Sequence, residues 1–136
     1  MNLEPRMNRD PRLKVLLVDD TRTLLSLIQV YLMGWSIAFL EAKDGIEGLR
    51  KAREHRPNLV ITDVRMPGMD GFELTAALRS DALLHHTPVI LLTSLNDEAS
   101  RRKGRLVGAT SFLTKPVSVE ELRRQVGNIL RLPIKR

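Results

Sequence analysis

Five polar side chains each stand at the end of an apolar run. Asp19 and Asp20 follow KVLLV, Asp63 follows LVIT, Thr93 closes PVILLT, and Lys115 follows SFLT. Runs of this kind enter a core, so a carboxylate at the end of one must be solvated, paired or bound to a cation. Three carboxylates, a hydroxyl and an ammonium gathered in one place form a definite chemical set. Carboxylates a few ångströms apart repel one another unless a cation intervenes. Oxygen-only ligands that leave places for water suit Mg²⁺ or Mn²⁺, ions commonly completed by a phosphate. An Asp attacks phosphorus to give an acyl phosphate when a metal and a cation neutralise the transferring oxygens. Asp63 lies between the acidic pair and Lys115 and is the natural acceptor. Asp19 and Asp20 would then hold the ion, Lys115 would pair with the phosphoryl group, and Thr93 would hydrogen-bond it.

The elements that must position this set read as five βα units. Strands are expected at residues 14–18, 36–42, 59–62, 88–93 and 111–114. Between them, Leu24, Leu27, Ile28, Tyr31 and Leu32 recur at helical spacing, with Gly34 placed to end that helix. Further helices are expected over 44–55, stopping before Pro57, over 71–80, and over 96–108, closed by Gly108. A last helix opens on a Ser118-x-x-Glu121 capping box and carries an apolar stripe of Leu122, Val126, Ile129 and Leu130. Strands that are continuous apolar runs, alternating with helices, predict a parallel α/β sheet covered on both faces. Ligands of such a sheet bind beyond the carboxyl ends of its strands, where the five polar groups fall. The end of the second strand, Glu41-Ala42-Lys43, supplies no comparable group in this reading.

The chain has 136 residues, the size of one domain, and no Cys, which removes disulfides, thiolate metal sites and cysteine nucleophiles together. Residues 1–12 read as a flexible polar tail, 13–132 as the domain, and 133–136 as a short basic tail. Residues 23–40 are uncharged over 18 positions, the length at which a membrane span becomes a candidate. Ser26 and Gln29 between the apolar positions argue instead for an amphipathic helix followed by a strand.

The chain resembles the receiver domain of two-component response regulators, in particular the single-domain type typified by the chemotaxis regulator. The resemblance rests on VDD at 18–20, ITDVRMPGMDG at 61–71, LLTS at 91–94 and FLTKP at 112–116, and it covers about residues 13–132. It implies a flavodoxin-like fold with strand order 2-1-3-4-5, five helices on both faces, and the following roles. Asp63 is the phosphorylated aspartate, Asp20 the direct metal ligand, and Asp19 the acidic neighbour that reaches the metal through water. Arg65 lends its backbone carbonyl to the metal. Thr93 and Phe112 form the pair that switches on phosphorylation, and Lys115-Pro116 is a cis bond. Arg65 and Leu95 flank the phosphoryl group and modulate its hydrolysis. A bulky cation and an apolar side chain there imply partial exclusion of water and slow self-dephosphorylation.

Charge is uneven along the chain. Residues 1–100 carry 12 Lys/Arg against 14 Asp/Glu, and residues 101–136 carry 10 against 2, within an overall charge of +6. Arg101, Arg102, Lys103, Arg105, Arg123 and Arg124 therefore outline a possible output face on the helix 4, strand 5 and helix 5 surface, which receivers commonly use for output. Such a face would favour an acidic protein partner. Little aromatic content and no helix-turn-helix segment argue against nucleic acid. His55, His85 and His86 are assigned no role. A haloacid-dehalogenase-type phosphatase would need Asp-x-Asp, and Asp19-Asp20-Thr21 lacks its second acid. The expected protein is a cytoplasmic phosphoacceptor and not an enzyme acting on a separate substrate. It would be charged by a histidine kinase or phosphotransfer protein and would signal by binding a downstream partner. The alternative is a receiver-like interaction module that works without phosphate and binds an acidic partner or nucleic acid.

Overall fold

The computed structural model describes residues 12–94 and 98–133. Leu95, the last three residues and all of the expected amino-terminal tail except Arg12 lie outside the described residues. Elements alternate as β1 (Leu13–Val18), α1 (Arg22–Tyr31), β2 (Ile37–Ala42), α2 (Gly45–His55), β3 (Leu59–Asp63), α3 (Gly71–Arg79), β4 (Val89–Thr93), α4 (Glu98–Val107), β5 (Ser111–Thr114) and α5 (Val119–Leu130). The sheet is parallel throughout, in order β2-β1-β3-β4-β5.

Side-chain alternation along the buried strands splits the core into two layers. Val15, Leu17, Ile61, Ile90, Leu92 and Leu113 point to the face covered by α1 and α5, where Leu25, Ile28, Leu122 and Val126 meet them. Leu16, Val18, Val60, Val89 and Leu91 point to the other face, against Ala52, Phe72, Leu74 and Leu78 of α2 and α3. Each such side chain contributes about 1.5–3 kcal/mol on burial, so the apolar layers and not the polar edge carry the fold. The 18-residue uncharged stretch divides as expected into α1 and β2, and among the described residues no helix is long and apolar enough to cross a membrane.

Helix starts follow their local chemistry with one reversal. Asp70 and Glu73 form a complete capping box at α3, the helix expected over 71–80. At α5 only half of the expected box is made. Ser118 accepts from the Glu121 amide, while the Glu121 carboxylate is engaged by Arg124 and Gln125. Gly108 ends α4 with a φ of +97°, a conformation that favours glycine.

Candidate functional site

The parallel register delivers the polar groups to one edge. β3 pairs with β1 and β4, Thr93 lies opposite Thr114, and Asp63 stands opposite Leu92 as the last residue of its strand. Asp19 and Asp20 leave β1, whose line is prolonged by a hydrogen bond from the Asp19 amide to the Ala42 carbonyl. Lys115 leaves β5, with its amide donating to the Thr93 carbonyl at 2.9 Å. The peptide between Lys115 and Pro116 is cis.

The side chains converge as the strand ends predict. Lys115 Nζ lies 3.0 Å from Asp63 Oδ1 and 3.7 Å from Asp19 Oδ2. One carboxylate oxygen from each of Asp19, Asp20 and Asp63 lies within 4.8 Å of the other two. Asp19, Asp63 and Thr93 are buried and Asp20 is exposed, so the cluster has a dry floor and one open side. The Val64 amide donates to Asp63 Oδ1, leaving Oδ2 of that carboxylate for chemistry, and the Thr21 amide donates to Asp19 Oδ1. Asp19 Oδ2 is buried without a hydrogen-bond donor.

Burial pushes the Asp19 carboxyl above the ordinary carboxylate range, and the charge of Asp63 adds to this. The Thr21 amide and the Lys115 ammonium pull the other way. An orphaned buried oxygen in an all-oxygen donor set with a solvent-facing side fits a hard divalent cation such as Mg²⁺. Asp19, Asp20 and Asp63 are the residues that would hold it.

The backbone at Asp63 is packed tightly. Gly71, the first residue of α3, lies so close that a Cβ there would sit 2.3 Å from the Asp63 carbonyl oxygen. This contact fixes β3 against the start of α3 at Asp63. No spacing rule marks it in the sequence.

A family model for the response regulator receiver domain matches residues 15–127. The chain belongs to the response regulator receiver family. Receivers are the phosphorylated signalling domains of two-component systems, and they bind Mg²⁺ at an acidic pocket of the kind formed here. The chain is 36% identical to Protein PilG of Pseudomonas aeruginosa over 81% of its length and 82% of that protein. It is 34% identical to Protein PilH of the same organism over 86% of its length and 97% of that protein. The chemotaxis response regulator CheY4 of Vibrio cholerae shares the fold with a TM-score of 0.81 and 34% identity, covering 87% of this chain and 98% of that one. The alkaline phosphatase synthesis transcriptional regulatory protein PhoP of Bacillus subtilis is 36% identical over 87% of this chain, which spans 48% of PhoP.

Within this receiver, the residues of the proposed switch and output face are not one continuous surface. Phe112 is half-buried, with its ring against Gly104 of α4 and the Arg101 guanidinium 5.5 Å from its centroid. Arg102 and Lys103 are exposed on α4, with Lys103 Nζ 4.9 Å over the Phe72 ring, and Arg105 pairs with Glu98. Arg124 pairs with Glu121 on α5. Arg123 lies elsewhere. Its guanidinium stacks 4.1 Å from the Trp35 ring and donates to the Tyr31 and Met33 carbonyls, tying α5 to the turn after α1. Arg65 is exposed two residues after Asp63. His85 and His86 lie with their rings 4.0 Å apart on the surface, away from the acidic set. Glu41 was passed over by sequence reasoning, yet its carboxylate reaches Arg22 and Gln29 of α1. An acid one residue from the end of an otherwise apolar strand was the available signal.

Proposed function

We propose that this receiver accepts a phosphoryl group on Asp63 from a histidine kinase or a phosphotransfer protein and thereby changes its affinity for a downstream protein. The observation that carries the reading is the pairing of Asp63 with Lys115 beside an Asp19 oxygen that has no hydrogen-bond donor. That geometry gives the site a nucleophile, a counter-charge and room for a cation. Asp19, Asp20 and Asp63 with the Arg65 carbonyl would hold Mg²⁺, which would neutralise the phosphoryl oxygens.

The chain's own residues do the rest. Asp63 Oδ2 attacks phosphorus, forming an O–P bond as the N–P bond of the donor phosphohistidine breaks. The imidazole nitrogen leaves with the electron pair and takes up a proton from solvent. Lys115, already 3.0 Å from the acceptor, pairs with a phosphoryl oxygen in place of the carboxylate charge. The Thr93 hydroxyl moves to hydrogen-bond the phosphoryl group, and the Phe112 ring turns inward into the space it vacates. Of the basic residues, Arg101, Arg102, Lys103, Arg105 and Arg124 remain on the face offered to an acidic partner. Arg123 is committed to Trp35 and leaves the set. Arg65 shields the acyl phosphate and slows its hydrolysis, so a phosphorylated half-life of seconds would argue against that part.

Intact mass after incubation with acetyl phosphate tests the central step. The expected result is a Mg²⁺-dependent gain of one phosphoryl group by the wild type and none by Asp63→Asn. Failure to gain it under conditions that label a control receiver would overturn the reading.

A further inference from the structure

α1 begins directly after the metal-facing pair, and it begins without local support. Thr21 precedes it without a side-chain capping bond, and its first turn has no acid. α2, α3 and α5 instead have Asp44, Asp70 and Ser118 as caps and Glu residues in their first turns. The first residue of α1 is Arg22, a cation at the positive end of the helix dipole. It is two positions from Asp20, and its side chain is 76% exposed. A guanidinium so placed is free by reach and by electrostatics to turn onto Asp20, where it would compete with a divalent cation for the same carboxylate.

It is held elsewhere by β2. Glu41 Oε1 accepts from Arg22 Nη1 at 2.7 Å, and Oε2 accepts from Gln29 Nε2 at 2.5 Å. Glu41 is itself fixed, since its residue pairs in register with Leu17 and its carbonyl accepts from Lys51 Nζ. Asp19, Asp20, Arg22 and Glu41 line one open cleft of about 310 Å³, so the guanidinium and the acidic pair face the same space.

We propose that Glu41 is a positioning residue for the metal site: it restrains the Arg22 cation so that Asp20 stays open to Mg²⁺. The inference rests on the metal-site reading above. The restraint acts before any phosphoryl donor arrives, so it is read in Mg²⁺ binding alone.

Calorimetric titration of Mg²⁺ into the unphosphorylated full chain is the test. Glu41→Ala is expected to weaken Mg²⁺ binding by about tenfold, as for other residues that orient metal ligands from behind. Adding Arg22→Ala to Glu41→Ala is expected to restore wild-type affinity, because the released competitor is gone. A purely structural tether predicts the opposite, since the double variant loses both of its ends. Unchanged Mg²⁺ affinity in Glu41→Ala, or a double variant as weak as the single one, would overturn the proposal. Should Glu41→Ala fail to fold, Glu41→Gln keeps an acceptor for Arg22 without the charge and is expected to give an intermediate loss, again reversed by Arg22→Ala. An absence of reversal there overturns the proposal equally. Absence of Mg²⁺ binding by the wild type would instead remove the metal-site reading itself.

Discussion

At the amino ends of the strands, cations are matched to carbonyls. Arg79 donates to Thr87 and Gly108, and Lys14 donates to His55. At the carboxyl ends, three carboxylates crowd within 4.8 Å, and Asp19 Oδ2 is buried with no donor. The same sheet thus has one edge where cations meet carbonyls and one where Lys115 is shared between two carboxylates and a buried oxygen lacks a hydrogen bond. A folded chain tolerates the second only because the first, and the apolar layers between them, leave stability to spare. The unsatisfied edge is where a ligand changes most, because it supplies what the protein omitted.

Removing a charge should therefore have opposite signs at the two edges. The largest effect is expected at the satisfied edge. Arg79→Ala leaves the carbonyls of Thr87 and Gly108 without their donor and removes a side chain that packs against Gly108. A cost of about 2–3 kcal/mol is expected in denaturant unfolding. Mg²⁺ affinity should stay unchanged, because the contacts lie at the far end of the strands. A stability loss below about 0.5 kcal/mol, the range of neutral surface substitutions, would break the comparison at that edge.

At the other edge the sign reverses. Asp19→Asn removes the buried charge and should raise stability by about 1–2 kcal/mol in metal-free buffer, while abolishing most of the stabilisation that Mg²⁺ gives the wild type. The pH dependence follows from the raised carboxyl of Asp19. A carboxyl whose folded value lies above its unfolded value of 3.8 contributes stability that is fully present below that value. That contribution is lost as pH rises through the raised folded value. The advantage of Asp19→Asn should accordingly vanish in acid and grow as pH rises towards neutrality. Thermal unfolding of both proteins across that range, with and without Mg²⁺, measures it. A difference independent of pH would mean that the substitution acts through packing.

The two edges also differ in how far the sequence reveals them. Asp19, Asp20, Asp63, Thr93 and Lys115 each end an apolar run, so the strand that buries its neighbours also announces the chemistry at its end, and the gathering of these groups at one edge follows from parallel pairing. Glu41 was missed because it lies within its strand, where a single acid reads as an interruption. Arg123 was placed on the output face because charge density along the sequence does not report direction. One residue, about 100° around the helix, separates the exposed Arg124 from Arg123 on the Trp35 ring, and the carbonyls that Arg123 caps are about 90 positions away. The expected box at Ser118 failed in its second half for a related reason. Glu121 had competing donors in Arg124 and Gln125, which a four-residue motif does not include.

The smallest effect on stability is expected between the two edges, at Gly104 on α4, and it separates packing from switching. A methyl there would lie 2.3 Å from Phe112 Cε1 and 2.6 Å from Cζ, closer than real contacts allow. The obstacle is the far end of a half-buried side chain rather than backbone, so the ring has somewhere to go. Gly104→Ala should cost about 1 kcal/mol, at the low end for overpacking, and should displace the Phe112 ring before any phosphorylation. If the ring's position reports the phosphorylated state, its resonances in the variant should change little when Asp63 is phosphorylated, while the wild type shows a large shift. An equal shift in both proteins would mean that Phe112 is a packing residue and that the signal leaves the acidic edge by another route. Asp63 labelling by acetyl phosphate should be preserved in either case, because Gly104 touches the ring and Leu91 and none of the carboxylates.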